Sequence, residues 1–257
     1  VDYHINLEVK LKEDCVWAKA GHIVATEQFL LKKGTVIKNT PSTVSPIFNK
    51  ADIFNVVRER EGVLYFRRPN VEVSFNEKTG KLIGLKYNGQ NMIQHREGWT
   101  LNWYRSINND PRSWQQSETQ LCTFDWKWAE DRQSIIVTVG KIKVPYSIIY
   151  HIYGDGKIQV NASFKTGQDF NLPRLALQGF FNPALENIEW YGRGPIENYQ
   201  DRKNAAFIGR YKTTVTEMAE HYLRAQTMGG RCDTNWMTLS DIHGKGIKIT
   251  SIDKTFD

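Results

Sequence analysis

The amino-acid sequence predicts an all-β protein whose main part is a large antiparallel β-sandwich. Apolar and polar residues alternate in YHINLEVKLK, from Tyr3 to Lys12, and again in VEVSF, from Val71, which is the pattern of a strand with one buried face. The segments QSIIVTVGKIKV and YSIIYHIY are rich in the β-branched and aromatic residues that strands favour. Helical periodicity is scarce, and the best helical candidate, TVTEMAEHYLRA from Thr214, still contains β-branched residues.

Turn-forming residues separate the predicted strands. NEKTGK, from Asn76 to Lys81, and the pair Asn88-Gly89 each lie between alternating runs, and such sequences are typical of tight antiparallel hairpins. YGDGK, from Tyr153, supplies a third turn of this kind. The sequence therefore predicts consecutive hairpins within a meander of antiparallel strands.

We expect a domain boundary near residue 43. KKGTVIKNTPSTVSPIFNK, from Lys32 to Lys50, contains two prolines and many small polar residues, which is typical of a connection between packed units. Residues 1–43 are too few to bury a core alone, so we expect the end of a β domain and a linker there, with the other strands upstream in a longer protein. The chain does not begin with Met or with a signal-peptide pattern. Residues 44–257 form the predicted sandwich.

Composition and charge argue against several classes of function. The 257-residue chain has a net charge of +6, but its basic residues are dispersed instead of forming a stripe with interleaved aromatics, so we expect no nucleic-acid partner. No apolar run approaches the roughly 20 residues that cross a bilayer, so we expect no membrane partner. The three cysteines and six histidines match no metal-site spacing. We therefore expect isolated thiols, no metal site and no cofactor within this chain.

The most conspicuous motif is WYGRGPIENYQDR, from Trp190 to Arg202. Its Gly192, Gly194 and Pro195 are typical of a tight turn, because glycine tolerates backbone angles that other residues avoid and proline fixes the next bend. The spacing does not match a dinucleotide-binding loop, which requires GxGxxG between a strand and a helix. The sequence thus predicts a turn at the end of a strand.

Two carboxylates of this motif admit two interpretations. Glu197 and Asp201 are four residues apart, and they can act as an acid–base pair or form salt bridges with Arg193 and Arg202. Two carboxylates that act on a glycosidic bond face each other across the substrate at about 5 to 10 Å, which one short loop seldom arranges. We therefore favour structural pairing over catalysis.

A second candidate segment is WTLNWYRSINNDPRSW, from Trp99 to Trp114. Its three tryptophans and one tyrosine surround Asn108, Asn109 and Asp110. The C–H faces of sugars stack on aromatic rings, and sugar hydroxyl groups form hydrogen bonds with amides and carboxylates. The segment therefore fits a loop close to a bound sugar. It fits equally well a long loop held by buried aromatic anchors, and the residues alone do not separate these two interpretations.

Five segments together resemble one protein family. In chain order they are AGHIVATEQFLL, SFNEKTGKLIGLKYNGQNMI, YRSINND, WYGRGPIENYQDRKNAAFIGRY and GGRCDTNWMTLSD. The same blocks occur in the same order in the C-terminal part of the large bacterial β-galactosidases of glycoside hydrolase family 2. The pattern W-x-G-x-G-P-x-E-N-Y-x-D-R of that family is matched from Trp190 to Arg202, and the resemblance spans nearly the whole chain.

The resemblance implies a fold and a role. Residues 1–43 are similar to the end of an immunoglobulin-like β domain of such enzymes, and residues 44–257 to most of the final galactose-mutarotase-like supersandwich, truncated before its last strands. The family's two catalytic glutamates lie on a (β/α)8 barrel outside this chain, so we expect no catalytic residue here. In the parent enzyme the resemblance implies hydrolysis of terminal β-D-galactose with retention. Any magnesium or sodium that the parent uses is expected at sites outside this chain.

The resemblance also implies partners and site residues. The partners are a galactoside substrate and the barrel domain of the same chain, with a homo-oligomeric parent as one option, in a bacterial cytoplasm or periplasm that the sequence leaves open. The loop from Tyr104 is expected at the mouth of the active site, with Arg105, Asn108, Asn109 and Asp110 on the substrate side. The expected structural motif consists of Trp190, Gly192, Gly194, Pro195, Glu197, Asn198, Tyr199, Asp201 and Arg202. Within it, Glu197, Asp201 and Arg202 are expected to tie the turn down.

The chain departs from the family pattern at three places. RSINND is one residue shorter than the R-A-P-x-D-N-D of many relatives and lacks its proline. RAQTMGGR, from Arg224 to Arg231, replaces R-P-Q-E-N-G-x-R and so loses a carboxylate and an asparagine. The chain ends at ITSIDKTFD, before the family's last strands and a late tryptophan of the sugar site.

Two other functions stay open at this point. A free-standing carbohydrate-binding module needs an exposed aromatic platform and a measurable affinity for sugar. A galactose epimerase of the mutarotase kind needs a histidine and a glutamate that converge on the concave face of the sandwich. A resemblance in fold alone does not license that chemistry.

Overall fold

The computed structural model describes residues 2–34, 53–94, 98–102, 122–141, 146–164, 174–224, 226–252 and 254–257. Over these residues the regular structure consists of seventeen β-strands and a one-turn 3-10 helix, Thr216–Met218. All the strand pairs are antiparallel. The all-β, antiparallel prediction is confirmed, and the helical candidate from Thr214 is reduced to that one turn.

The seventeen strands are numbered in chain order. In order they are β1 (Tyr3–Lys10), β2 (Ile23–Lys32), β3 (Asn55–Glu59), β4 (Val63–Arg68), β5 (Val71–Asn76), β6 (Leu82–Tyr87), β7 (Gln90–Asn91), β8 (Thr100–Asn102), β9 (Cys122–Trp128), β10 (Ile135–Lys141), β11 (Tyr146–Ile152), β12 (Ile158–Phe164), β13 (Ala176–Gln178), β14 (Asn187–Gly194), β15 (Phe207–Thr214), β16 (Trp236–Ser240) and β17 (Gly246–Thr250).

The chain forms two compact units. Unit 1 comprises Val1–Thr43, Glu186–His221 and Met228–Asp257, and unit 2 comprises Val44–Leu185 and Tyr222–Thr227. Unit 1 contains the ribbon β1-β2 and a four-stranded sheet in the order β15-β14-β16-β17. Unit 2 contains a five-stranded sheet, β3-β4-β5-β6-β7, a four-stranded sheet, β12-β11-β10-β9, and the pair β13-β8. The division of the sequence near residue 43 stays a prediction.

The two larger sheets of unit 2 share one aromatic core. Phe66 of β4 packs edge-on against Trp126 of β9, with 5.4 Å between the ring centroids. Phe75 of β5 contacts Phe124 at 5.8 Å and Tyr150 at 5.2 Å. Alternate residues of β11 are buried, as expected for a strand with one face in a core. This unit is therefore a β-sandwich, as predicted.

All three predicted hairpin turns are present. The turn from Asn76 to Lys81 joins β5 to β6, and the backbone N–H of Asn76 donates to the carbonyl of Lys81 at 2.9 Å. The pair Asn88-Gly89 joins β6 to β7, and the turn after Tyr153 joins β11 to β12. Turn chemistry is local, which explains why the sequence was sufficient to predict these connections.

Strand β14 is the central element of unit 1. It pairs with β15 on one side and with β16 on the other. Ile188 and Trp190 are buried on its inner face, whereas Glu189 and Tyr191 are half-buried on its outer face. The first five residues of the WYGRGPIENYQDR motif are the end of this strand. The rest of the motif therefore starts from a position fixed by two neighbouring strands.

The ribbon β1-β2 contacts the sheet of unit 1 through Gln28. The side-chain amide of Gln28 donates to the carbonyl of Ile208 at 2.9 Å and accepts from the N–H of Ile208 at 2.8 Å. Ile208 belongs to β15, the edge strand of that sheet. The amide thus pairs backbone groups that an edge strand otherwise leaves open, which is one way in which sheet edges are protected.

Candidate functional site

The candidate site is the turn that follows β14, together with the segment 229–234 that lies beside it. Trp190 anchors the strand end, because its ring is buried and its indole Nε1 donates to the carbonyl of Arg193 at 3.0 Å. The ring centroid of Tyr211 lies 5.4 Å from that of Trp190, and the guanidinium carbon of Arg231 lies 5.3 Å from it. Buried aromatic rings of this size contribute strongly to packing.

Two glycines of the motif are required by close contacts. A Cβ at Gly192 would lie 2.7 Å from the Cα of Thr234, a backbone atom that cannot rotate away. A Cβ at Gly194 would lie 2.7 Å from Cδ2 of Tyr211 and 2.9 Å from Cζ2 of Trp190. The glycines therefore allow the strand end to approach its neighbours, and the chain then leaves through a cis peptide bond to Pro195.

Glu197 holds the turn in place through its buried carboxylate. Its side chain is only 4% exposed, and one carboxylate oxygen accepts from the guanidinium of Arg202. The other oxygen accepts from the backbone N–H of Gly229 at 2.6 Å. Arg202 also lies over the ring of Tyr199, 4.9 Å from its centroid. Both oxygens of the carboxylate are thus engaged in bonds within the protein, as a buried charge requires.

Asn198 continues the same connection to the segment 229–234. Its fully buried side chain accepts from the N–H of Cys232 at 2.8 Å and donates to the carbonyl of Ile196 at 2.9 Å. Its backbone N–H donates to the carbonyl of Gly230 at 3.0 Å, and the N–H of Gly230 donates to the hydroxyl of Tyr199 at 3.3 Å. The successive motif residues Glu197, Asn198 and Tyr199 are therefore all hydrogen-bonded to the backbone of the segment 229–234.

Arg193 forms a second polar cluster next to the turn. Its Nε donates to Oδ2 of Asp233 at 2.5 Å, and its Nη1 donates to the carbonyls of Ala206 at 2.8 Å and Lys203 at 3.2 Å. The ammonium of Lys203 lies 3.1 Å from the same Oδ2. Burial opposes ionisation of Asp233, but the hydrogen bonds from Arg193 and Lys203 outweigh it and hold the pKa of this carboxyl below its ordinary value.

The predicted motif residues differ in what they contact. Glu197 and Arg202 pair with each other, as one interpretation of the sequence proposed, but Arg193 pairs with Asp233. Asp201 is exposed, and its carboxylate forms no hydrogen bond or ion pair with the described part of the chain. Glu197 is buried and both of its carboxylate oxygens are bonded to Arg202 and Gly229, which does not suit a residue that exchanges a proton with a substrate. Within the described residues, Asp201 therefore does not hold the turn in place.

The predicted substrate-side loop lies outside the described residues. Arg105, Asn108, Asn109 and Asp110 all belong to the stretch 103–121, which the structure does not describe. Their expected place at the mouth of an active site stays a prediction.

Sequence reasoning missed the residues that receive the turn. Gly229, Cys232 and Asp233 had no assigned role, although they belong to the block GGRCDTNWMTLSD that carried part of the resemblance. That shared block was the available signal, because more than 30 residues separate it from the glutamate that it binds. Burial raises the pKa of the Cys232 thiol to about 11, and none of the three cysteines forms a disulfide bond in the structure.

Two features are absent from the described part of the chain. Their histidine, cysteine and acidic side chains form no group of three or more that would hold a metal ion. No helix in the described segments is long and apolar enough to cross a membrane.

The fold and these contacts define a β-sandwich protein whose most distinctive motif is an internal structural anchor. The family described as "Beta galactosidase small chain" matches residues 67–255, and the family described as "Beta-galactosidase, domain 4" matches residues 2–32. The chain belongs to the β-galactosidase small-chain family.

Several bacterial β-galactosidases are similar to this chain. The enzyme of Priestia megaterium is 26% identical over 269 residues, which cover 98% of this chain and 25% of the enzyme. The enzyme of Streptococcus thermophilus is 27% identical over 263 residues, with 96% and 24% covered. The enzyme of Vibrio cholerae is 26% identical over 273 residues, with 95% and 26% covered. The chain thus spans about a quarter of the length of these curated relatives.

Proposed function

We propose that this chain is the non-catalytic C-terminal β-sandwich portion of a retaining β-galactosidase of glycoside hydrolase family 2. The complete enzyme hydrolyses terminal non-reducing β-D-galactose residues in β-galactosides, and this portion helps to shape the mouth of its active site. The observation that carries the proposal is collinearity, since the domain 4 match precedes the small-chain match and the β-galactosidase relatives cover nearly the whole chain. This chain alone is expected to be inactive.

The anchor after β14 supports a structural role for the motif within that enzyme. Both oxygens of the Glu197 carboxylate are engaged by Arg202 and Gly229. A general acid or base instead needs a carboxylate within reach of a substrate proton. The chemistry is therefore assigned to the barrel domain of the complete enzyme. Its contact with substrate through this portion is assigned to the loop that contains Arg105 and residues 108–110.

The experiment compares the complete enzyme with this chain. The complete enzyme is incubated with lactose, and proton NMR follows which anomer of galactose is released first. We expect β-galactose first from the complete enzyme, because retention passes through two inversions at the anomeric carbon, and no hydrolysis by the 257-residue chain. Inactivity of a folded complete enzyme towards β-galactosides, or turnover by this chain alone, contradicts the proposal.

Two calorimetric and optical measurements distinguish the alternatives. If the chain is a free-standing carbohydrate-binding module, titration of galactose or lactose into it would release heat from binding with a submillimolar dissociation constant. A galactose epimerase would accelerate the change in optical rotation of freshly dissolved α-galactose. We expect neither effect, and the proposal stands only if both are absent.

A further inference from the structure

The turn between β6 and β7 presents an asparagine–glycine pair to solvent. Asn88 and Gly89 are both exposed, and both have left-handed backbone angles, with φ of 49° and 80°. Such angles are those of a tight two-residue hairpin, for which asparagine and glycine are the preferred residues. The proposed function gives this pair no role. Its chemistry depends on whether the asparagine side chain and the next backbone nitrogen are free to react with each other.

The reactive groups of this pair have no partner in the described part of the chain. The side-chain amide of Asn88 and the backbone N–H of Gly89 form no hydrogen bond with those residues, whereas the backbone N–H of Asn88 donates to the carbonyl of Asn70 at 2.9 Å. A Cβ placed on Gly89 would meet no atom within 4 Å. The nitrogen of Gly89 is therefore unobstructed, and it belongs to the residue next to the Asn88 amide.

Asn91 provides a contrast three residues further along the chain. It is also exposed and belongs to β7. The residue after it, Met92, is only 2% exposed, and its backbone N–H donates to the carbonyl of Leu85 at 2.8 Å. The nitrogen next to the Asn91 amide is thus held in a hydrogen bond and belongs to a residue with a buried side chain.

We propose that Asn88 is a site of spontaneous deamidation. The nitrogen of Gly89 attacks Cγ of Asn88 and gives its proton to water, while the side-chain NH2 group takes up a proton and leaves as ammonia. Water then opens the cyclic succinimide at either of its two carbonyl carbons, which yields aspartate or isoaspartate at this position. Water is the co-reactant, and no group is oxidised or reduced. Asparagine is among the residues that limit the chemical lifetime of proteins.

Isoaspartate changes the hairpin in shape as well as in charge. It leads the main chain through the side-chain carbon and so lengthens the backbone of the turn, although the length of a hairpin loop fixes the strand register. Strand β7 has two residues, which pair with Lys86 and Tyr87, and the buried Met92 and Ile93 follow it. We therefore expect conversion at Asn88 to loosen the hydrogen bond between Met92 and Leu85.

The test is incubation of the complete protein that carries this chain in water labelled with heavy oxygen, under mildly alkaline conditions. Digestion with trypsin in ordinary water then releases residues 87–96, which contain both Asn88 and Asn91, and mass spectrometry measures the label at each. We expect conversion at Asn88 at least about ten times faster than at Asn91, which corresponds to a barrier lower by about 1.4 kcal/mol. Electron-transfer fragmentation is expected to identify isoaspartate beside aspartate.

Two variants and a free peptide complete the experiment. Asn88→Gln is expected to abolish the label at this position, because glutamine would have to close a larger ring, and the matched control Asn91→Gln is expected to retain it. A synthetic peptide of residues 87–96 gives the rate without the fold. Conversion in the peptide but not in the folded protein overturns the proposal, as do equal rates at Asn88 and Asn91.

Hydrogen exchange tests the consequence for the fold. We expect the backbone N–H of Met92 to exchange faster in the converted protein than in fresh protein, because its bond to Leu85 opens more often. Asn88→Gln incubated for the same time is expected to show no such increase. Unchanged exchange in converted protein would contradict the expected loosening. The inference does not rest on the proposed function, so hydrolysis of lactose is not a readout of it.

Discussion

Two glutamate–arginine pairs adjoin strand β14, and they differ in the burial of the carboxylate. Glu197, in the turn after the strand, is 4% exposed and pairs with Arg202, whereas Glu189, on the outer face, is 23% exposed and pairs with Arg210. Glu197 also binds the backbone of Gly229. The pKa of Glu189 is lowered chiefly by its hydrogen bond from Arg210. The same two residue types therefore form an internal anchor at one place and part of a charged surface at the other.

The largest expected contrast concerns the two tryptophans on opposite faces of this sheet. Trp190→Ala removes a buried ring and is expected to lower the free energy of unfolding by about 3 to 5 kcal/mol. Trp236→Ala, on the outer face, is expected to cost less than half as much, because its ring is only half-buried. Denaturant titrations of both variants measure the two losses. Similar losses would show that the inner and outer faces are equally important for packing.

The second contrast concerns the two glutamates themselves. Glu197→Gln is expected to lower the free energy of unfolding by about 1 to 3 kcal/mol. The glutamine side chain removes the carboxylate that pairs with Arg202, and its NH2 group is a donor that faces the donors of Arg202 and Gly229. The control Glu189→Gln changes an exposed pair of the kind that contributes little. Urea unfolding midpoints compare the two variants, and an equal shift in both would refute the distinction between anchor and surface.

A smaller effect is expected at the ribbon β1-β2. Gln28→Ala removes both bonds to the backbone of Ile208 and is expected to cost about 1 kcal/mol. Gln28→Glu is expected to cost at least as much, because a carboxylate is unable to donate to the carbonyl of Ile208. Thr26→Ala, on the same strand, is the control. Thermal unfolding would contradict the prediction if Gln28→Ala and the control were equally stable.

The smallest effect is a dependence of stability on pH at Asp233. Its pKa in the folded protein is lowered from 3.8, so ionisation of this carboxyl stabilises the folded state above that value. The contribution is lost as the pH falls below 3.8 through the lower folded-state pKa. Asp233→Asn is expected to reduce stability at neutral pH and to flatten the decline below pH 3.8. A variant whose pH profile parallels that of the parent protein would exclude this assignment.

The sequence predicted those features that depend on neighbouring residues. Asn88-Gly89 and the turn from Asn76 were identified because hairpin chemistry is contained in a few residues. Alternation likewise predicted β1, but not that Leu7 and Val9 on it are 49% and 58% exposed. A period of two identifies a strand and says nothing about whether another layer covers it.

The candidate site was harder to predict because its bonds connect distant parts of the chain. From their proximity in the sequence, we predicted salt bridges between Arg193 and the carboxylates of its own motif. In the structure Arg193 pairs instead with Asp233, 40 residues away. Glu197 and Gly229 are 32 residues apart. Such contacts depend on which segment runs beside β14, and that is decided by the packing of the whole unit. The resemblance to a family indicated that both segments belong together without indicating their contacts.

The central claim is that Glu197 anchors the turn and takes no part in the reaction. The direct measurement is the turnover number of Glu197→Gln with lactose in the complete protein, for which we propose β-galactosidase activity, expressed per folded molecule as determined by near-ultraviolet circular dichroism. The account predicts a lower unfolding midpoint and a turnover within about threefold of the parent enzyme, since no transition-state contact is removed. A loss of several orders of magnitude in a fully folded variant would contradict it.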